Sequence, residues 1–287
     1  MRVIDSTKNM NVFKATWKYF IDKGAYLLLI FVAPSLLIPF LLSPSSTLYY
    51  LFDYKNINPQ NFGDMYLEMR SLPFSYWYLG IIGLVLLVFS IAITLGVIDR
   101  HMRIGEFTVS PSRVKNRLNY NILTALRFGI TAFAAMELSN LLTSVMYYLW
   151  WVAFKSRVTW LVFSVCTLVL NQLIMLVIMS WLILWSPYCL HTGLRAKDAI
   201  VNAVRSMSGR VIRTAFTLFS CVAPIEIVMI ITGALNAGTI AQFLLDVISY
   251  MVVVPFYITL MYTLFYDVTG TERMDYVRKK NDIWSKK

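Results

Sequence analysis

The stretch Trp77–Ile98 reads WYLGIIGLVLLVFSIAITLGVI and holds no charged residue. A helix needs about 20 mainly apolar residues to cross the hydrocarbon of a bilayer, where its backbone groups must pair within the helix. Asp99-Arg100-His101-Met102-Arg103 follows at once and makes a polar, mostly basic stop. Working outward, the same pattern recurs over Gly24–Leu42, Ala125–Trp150, Trp160–Trp185, Thr214–Leu235 and Ala241–Phe265. Six spanning helices are therefore expected. The chain divides into an amphipathic N-terminal segment (1–23), a six-helix transmembrane domain (24–265) and a basic tail (266–287).

Composition agrees. Hydrophobic residues make up 58% of the 287 positions and charged residues 14%, against roughly 25% charged in ordinary soluble domains. The mean hydropathy is +0.64. An ordinary soluble enzyme, a disordered chain and a disulfide-stapled secreted domain are all excluded. The formal net charge of +11 would suggest nucleic acid in a soluble protein. Its placement argues otherwise. Of the 26 Lys and Arg residues, 22 fall in the N-terminal segment, the connections after spans two and four, and the tail. The opposite side holds only Lys55, Arg70, Lys155 and Arg157. Basic residues accumulate on the cytoplasmic side, so both termini are expected there, in a plasma membrane protein that touches anionic lipid and no nucleic acid. A homo-oligomer or a membrane partner protein is compatible with this plan.

The first segment is read as a retained anchor rather than a signal peptide. Its 23 preceding residues are long for an n-region and alternate Val12, Phe13, Trp17 and Phe20 with Lys14, Lys18 and Lys23. Tyr76-Trp77-Tyr78, Tyr147, Tyr148, Trp150, Trp151, Trp181 and Trp185 gather near span ends, as an interfacial aromatic belt does.

The two large basic connections echo one another. In the first, Ser110 and Pro111 suit the cap and first position of a short helix that carries Arg113, Lys115 and Arg117. In the second, Asp198 is a candidate cap for a helix whose apolar face is Ile200, Ala203, Val204 and Met207, with Gly209 as its stop. Two short amphipathic helices at the cytoplasmic headgroup boundary are expected. Arg113, Lys115, Arg117, Arg205, Arg210 and Arg213 are the candidate headgroup contacts. Aligning Val114 with Ile200 also aligns Arg127 with Arg213. If that is a duplication, spans two–three and four–five form a parallel repeat.

Several short motifs then carry a resemblance. They are Ala15-Thr-Trp17-Lys before the first span, and Ser186-Pro187-Tyr188, read as closing the fourth. Then come the run Gly193-x-x-x-x-x-Ala199-Ile200-x-x-Ala203-x-x-Ser206, and Leu264-Phe-Tyr266-Asp267 at the end of the sixth. In these the chain resembles the membrane domain fused to some bacterial glycerophosphoryl diester phosphodiesterases and its stand-alone six-span relatives. The resemblance implies a fold and a membrane location. It implies no catalytic residue, since the phosphodiesterase catalytic domain is not in this sequence.

Charged side chains at membrane depth cost about 2.5–3.5 kcal/mol each on insertion scales. Glu137 and Glu226 lie mid-span, the latter two residues after Pro224, and Asp246 is expected nearer the outer interface. Asn140, Asn171 and Gln172 fall at similar depth. These residues make a candidate midplane polar site for a cation, a proton or a lipid headgroup. Interhelical hydrogen bonding is the competing reading. Arg127 sits at the entrance to the third span, and no Lys or Arg lies at membrane depth as a counter-ion, which favours protonated acids or a structural role.

Other chemistry is sparse. Asp99, His101, Cys189 and His191 could hold a metal only if two connections met, so no metal and no cofactor are expected. There is no CxxC, no His-Glu-x-x-His, no P-loop, no Gly-x-Ser-x-Gly and no Gly-x-Gly-x-x-Gly. The longest outer connection, Ser43–Tyr76, includes Leu48-Tyr-Tyr-Leu-Phe52 and is read as a loop anchored in the outer interface. The first functional expectation is a non-enzymatic membrane protein that handles or organises lipid or another amphiphile, or serves as the membrane part of an assembly. A transporter or permease subunit using Glu137 and Glu226 is the alternative, and a membrane-embedded enzyme comes last.

Overall fold

The computed structural model describes residues 11–54, 59, 61–70, 72, 76–107 and 111–275, with the side chains of 111–120 left out. Arg2, Lys8, Lys55, Ser110 and the tail lysines from Lys279 on therefore lie outside the description, as do the side chains of Arg113, Lys115 and Arg117. The described residues are helical and contain no strand. Six helices are long and apolar enough to cross a membrane.

The helices are α1 (Val12–Leu37), α2 (Ser46–Phe52), α3 (Phe62–Arg70), α4 (Trp77–Ile104), α5 (Pro111–Ala153), α6 (Arg157–Leu182), α7 (Trp185–Thr192), α8 (Ala196–Met207), α9 (Val211–Ala234) and α10 (Gly238–Thr269). Local chemistry sets several boundaries. The Asn11 side chain accepts from the Phe13 N–H at the start of α1, and Ser156 caps α6 in the same way through the Thr159 N–H. Gly105, Gly193 and Gly270 end α4, α7 and α10 with a left-handed backbone.

The core lies along α1, α4 and α10. Leu27 and Phe31 of α1, Ile91, Ala92, Leu95 and Ile98 of α4, and Ile258, Met261 and Tyr262 of α10 are almost wholly buried there. The join of α1 and α4 is very close. A Cβ on Gly83 would come within 2.7 Å of the Ile38 backbone nitrogen, and one on Gly80 within 2.2 Å of Leu41 Cβ. Only glycine permits that approach.

The start of α1 and the end of α10 meet at one end of the bundle, where Val12, Arg210, Leu264 and Asp267 border one cavity. At the other end, α2 and α3 cap the bundle. Met65 and Met69 of α3 are fully buried with Tyr50 and Leu51 of α2, Tyr147 of α5 and Trp160 of α6. The connection read as a loop at the interface is thus a packed plug.

Four further expectations change. Residues 12–23 of the N-terminal segment are continuous with the first span, because α1 runs unbroken from Val12 into it. The first expected surface helix is likewise the start of the 43-residue α5. No glycine or proline interrupts residues 112–128, so nothing stops it. The second connection does break, at Gly209 with φ +77°, and α8 stands apart. Its start is at Ala196, Asp198 falls in its first turn without capping it, and its inward face is Ala199, Ala203 and Met207. Ile200 and Val204 face outward, and Tyr188 and Ser206 hydroxyls meet at 2.7 Å to tie α8 to α7. Pro187 does not close the fourth span. α6 ends at Leu182, and Pro187 sits in the first turn of α7.

Candidate functional site

The polar residues expected at mid-depth fall into two groups. Glu137 and Asn171 are already engaged. Arg70, at the end of α3, reaches down so that its Nε lies 2.8 Å from Glu137 Oε1. The Tyr66 hydroxyl donates to Oε2 at 2.7 Å. Burial first, and then the Glu137 carboxylate, push the Tyr66 phenol up, while Arg70 opposes the rise; the phenol stays a donor. The expectation that no basic residue could neutralise an acid in the spans is corrected here: the counter-ion comes from α3, in the connection between the first two spans. Asn171 of α6 donates to Ser139 Oγ at 2.6 Å and Thr143 Oγ1 at 2.8 Å, which fastens α6 to α5.

Asn140, Gln172 and Glu226 form the second group. Each is half-buried, and none of the three side chains has a hydrogen-bond or ion-pair partner among the described residues. Their polar atoms are not sealed inside the protein. All three also lie on inward arcs. Gln172 shares its helical face with Leu168, Leu176 and Met179, which pack against the core clusters. Asn140 is one turn from the core-packed Met136 and from the buried Ser144. Glu226 falls in the stripe Val222–Glu226–Met229–Gly233, where Met229 is buried and Gly233 meets Phe52 of α2.

These inward arcs loosen at the same level. On α5, Ala125 and Gly129 toward one end and Thr143, Ser144 and Tyr147 toward the other are buried, whereas Phe133, Met136 and Asn140 between them are half-buried. On α6, Trp160 and Ser164 and then Ser180 are buried, followed by Ile183 and Leu184 just past its end, with Leu168, Gln172, Leu176 and Met179 half-buried between. On α9 the gap is Val222–Glu226, and on α10 it is Met251–Val254, just before a run that is buried without a break from Pro255 to Tyr266. Protein interiors normally pack without such gaps. α10 packs on α1, α4 and α9. Toward the α5–α6 hairpin it reaches with a long side chain: the Tyr257 hydroxyl donates to the Met179 carbonyl at 3.0 Å, and its ring lies 5.7 Å from that of Phe128.

We read the half-buried arcs of α5, α6, α9 and α10 as the lining of one crevice between them, with Tyr257, Met179 and Phe128 at one limit and the α2–α3 cap, held by Arg70–Glu137 and by Asp246, at the other. Asp246, expected near the interface, is fully buried. It accepts from the Ser43 hydroxyl and from the Ser45 N–H at 3.0 Å, while the Ser43 N–H donates to the Arg70 carbonyl at 3.0 Å. One polar chain thus joins Glu137, Arg70, Ser43 and Asp246.

The walls are Met136, Leu168, Leu176, Met179 and Met251, with a carboxyl and two amides among them. Methionine adapts to irregular apolar ligands, and a few polar groups in an apolar pocket fix a ligand's orientation. The candidate metal set does not converge. His191 Nε2 lies 2.8 Å from Asp99 Oδ1, but His101 Nδ1 turns to the Tyr19 hydroxyl at 3.0 Å. Among the described residues no group of three metal-ligating side chains forms. Of the headgroup candidates with described side chains, Arg205, Arg210 and Arg213 are all exposed.

Sequence reasoning missed Arg70 and Tyr66 and the methionines of the crevice. Arg70 left one trace, as one of four basic residues on the sparse side. No family model matches the chain, and neither a curated protein nor a solved structure matches it.

Proposed function

We propose that this multi-pass protein of the plasma membrane, with both chain ends in the cytoplasm, holds a lipid or another amphiphile at mid-depth. The polar group of the amphiphile sits against Glu226, Gln172 and Asn140, and its apolar part lies along the methionines and leucines of α5, α6 and α10. The observation that carries this reading is the trio of unpartnered polar side chains turned inward at the level where four helices loosen together. Their polar atoms are accessible and unpartnered, so a bound polar group can pair with them without breaking an existing contact. A carrier built on both glutamates fits less well, because Arg70 already neutralises Glu137.

The test is native mass spectrometry of the protein purified in mild detergent, with extraction of what stays bound. The expected result is one preferred amphiphile on the wild type that is lost when Met179→Trp fills the crevice. A bound-lipid profile identical to bulk membrane, unchanged by that substitution, would contradict the proposal.

A further inference from the structure

At the end of the bundle where α1 starts and α10 ends, a second cavity of about 180 Å³ opens between α1, α9 and α10. We infer that it seats the phosphate of an anionic membrane lipid, independently of the mid-depth crevice. Its wall pairs two guanidinium groups, Arg210 and Arg213, with apolar Val12 and Leu264. The volume falls below the roughly 300–1,000 Å³ of pockets that enclose whole drug-sized ligands, so a headgroup fits and a large soluble cofactor does not.

The two arginines differ. Arg210 Nη1 is 2.7 Å from Asp267 Oδ2, which fixes one guanidinium at the rim. The Arg213 guanidinium has no ion pair or hydrogen bond among the described residues. Two cations against one carboxylate leave a net positive lining, and a guanidinium fork matches a phosphate with two parallel donors. The Thr214 and Thr217 hydroxyls donate back to the Arg210 and Arg213 carbonyls at 3.1 and 2.9 Å and stiffen the turn that presents both.

Lipid rather than free phosphate is favoured by what lies beside the cavity. Ile212 and Phe216 are 85% and 63% exposed, and the Phe216 ring is 6.3 Å from that of Phe13 on α1. This apolar strip, next to a charged cavity, is where an acyl chain would continue from a bound headgroup.

The test titrates the full-length protein in detergent with short-chain phosphatidylglycerol and phosphatidylcholine, read by native mass spectrometry. Phosphatidylglycerol is expected to bind in preference. R213Q should weaken it about tenfold, as losing one charge-assisted hydrogen bond does. K197Q, which removes an exposed charge from α8 that does not line the cavity, should change it less than about twofold, as a surface charge does. D267N, which releases Arg210, should tighten binding about threefold. Millimolar inorganic phosphate should not displace the lipid. Equal loss in R213Q and K197Q would mean diffuse surface attraction and overturn the site. Displacement by inorganic phosphate would make it a soluble-anion site, and no preference over phosphatidylcholine would also overturn it.

Discussion

Glu137 and Glu226 each stand near the middle of a long apolar helix, yet Arg70 and Tyr66 hold the first and no described residue holds the second. The carboxylate of Glu137 is matched by a cation carried in from α3, so that acid works as a latch for the cap. Glu226 has no such counterpart and faces a level where packing is incomplete. An acid in a spanning helix is costly in both places. What differs is who offsets the cost: the protein itself for Glu137 and, in the proposed function, a bound amphiphile for Glu226. The comparison teaches that depth alone does not mark a site; depth without a partner does.

The comparison breaks if the Glu137 latch proves dispensable. Arg70→Met leaves a carboxylate unpaired at depth and should destabilise the protein by about 3 kcal/mol, measured by thermal unfolding in detergent. Arg70→Met with Glu137→Met should recover most of that loss, since both charges leave together. Full additivity of the two changes would show that the ion pair does not hold the cap.

Asp246 sharpens the same contrast at the roof. Asp246→Leu strands the Ser45 N–H and the Ser43 hydroxyl and should cost about 2 kcal/mol, with the cap becoming more open to protease between α2 and α4. An unchanged cleavage pattern would separate Asp246 from the latch. The smallest effect is expected at Asn171. Asn171→Ala removes the bridge to Ser139 and Thr143, and interhelical hydrogen bonds of this kind average about 0.6 kcal/mol and reach ~1.7. A shift in melting temperature without loss of bound amphiphile would place Asn171 with Glu137, among the structural residues.

The spans were legible because an uncharged run of about 20 residues has few other solutions. The ends were less so: α1 begins at Val12 rather than Gly24, because lysines on one face of a helix do not stop it. The two basic connections looked alike, but Gly209 supplies a left-handed break that 112–128 lacks, so the turn Ser208–Gly209–Arg210 separates α8 from α9 while α5 stays continuous. All the polar candidates at mid-depth could be named from the sequence. Their partners could not, because Arg70 lies 67 positions from Glu137 and only packing of α3 on α5 joins them. The half-buried inner arcs left no local signal either. Met136, Met179 and Met251 read as ordinary span residues until the neighbouring helices were in place.

The most direct measurement pairs bound amphiphile with stability in one double variant, Gln172→Leu with Glu226→Leu. Both side chains are unpartnered, so replacing them with apolar ones should leave the melting temperature unchanged or raised, while the bound amphiphile disappears. Amphiphile still retained, or a melting temperature that collapses because the two residues brace the helices, would contradict the account.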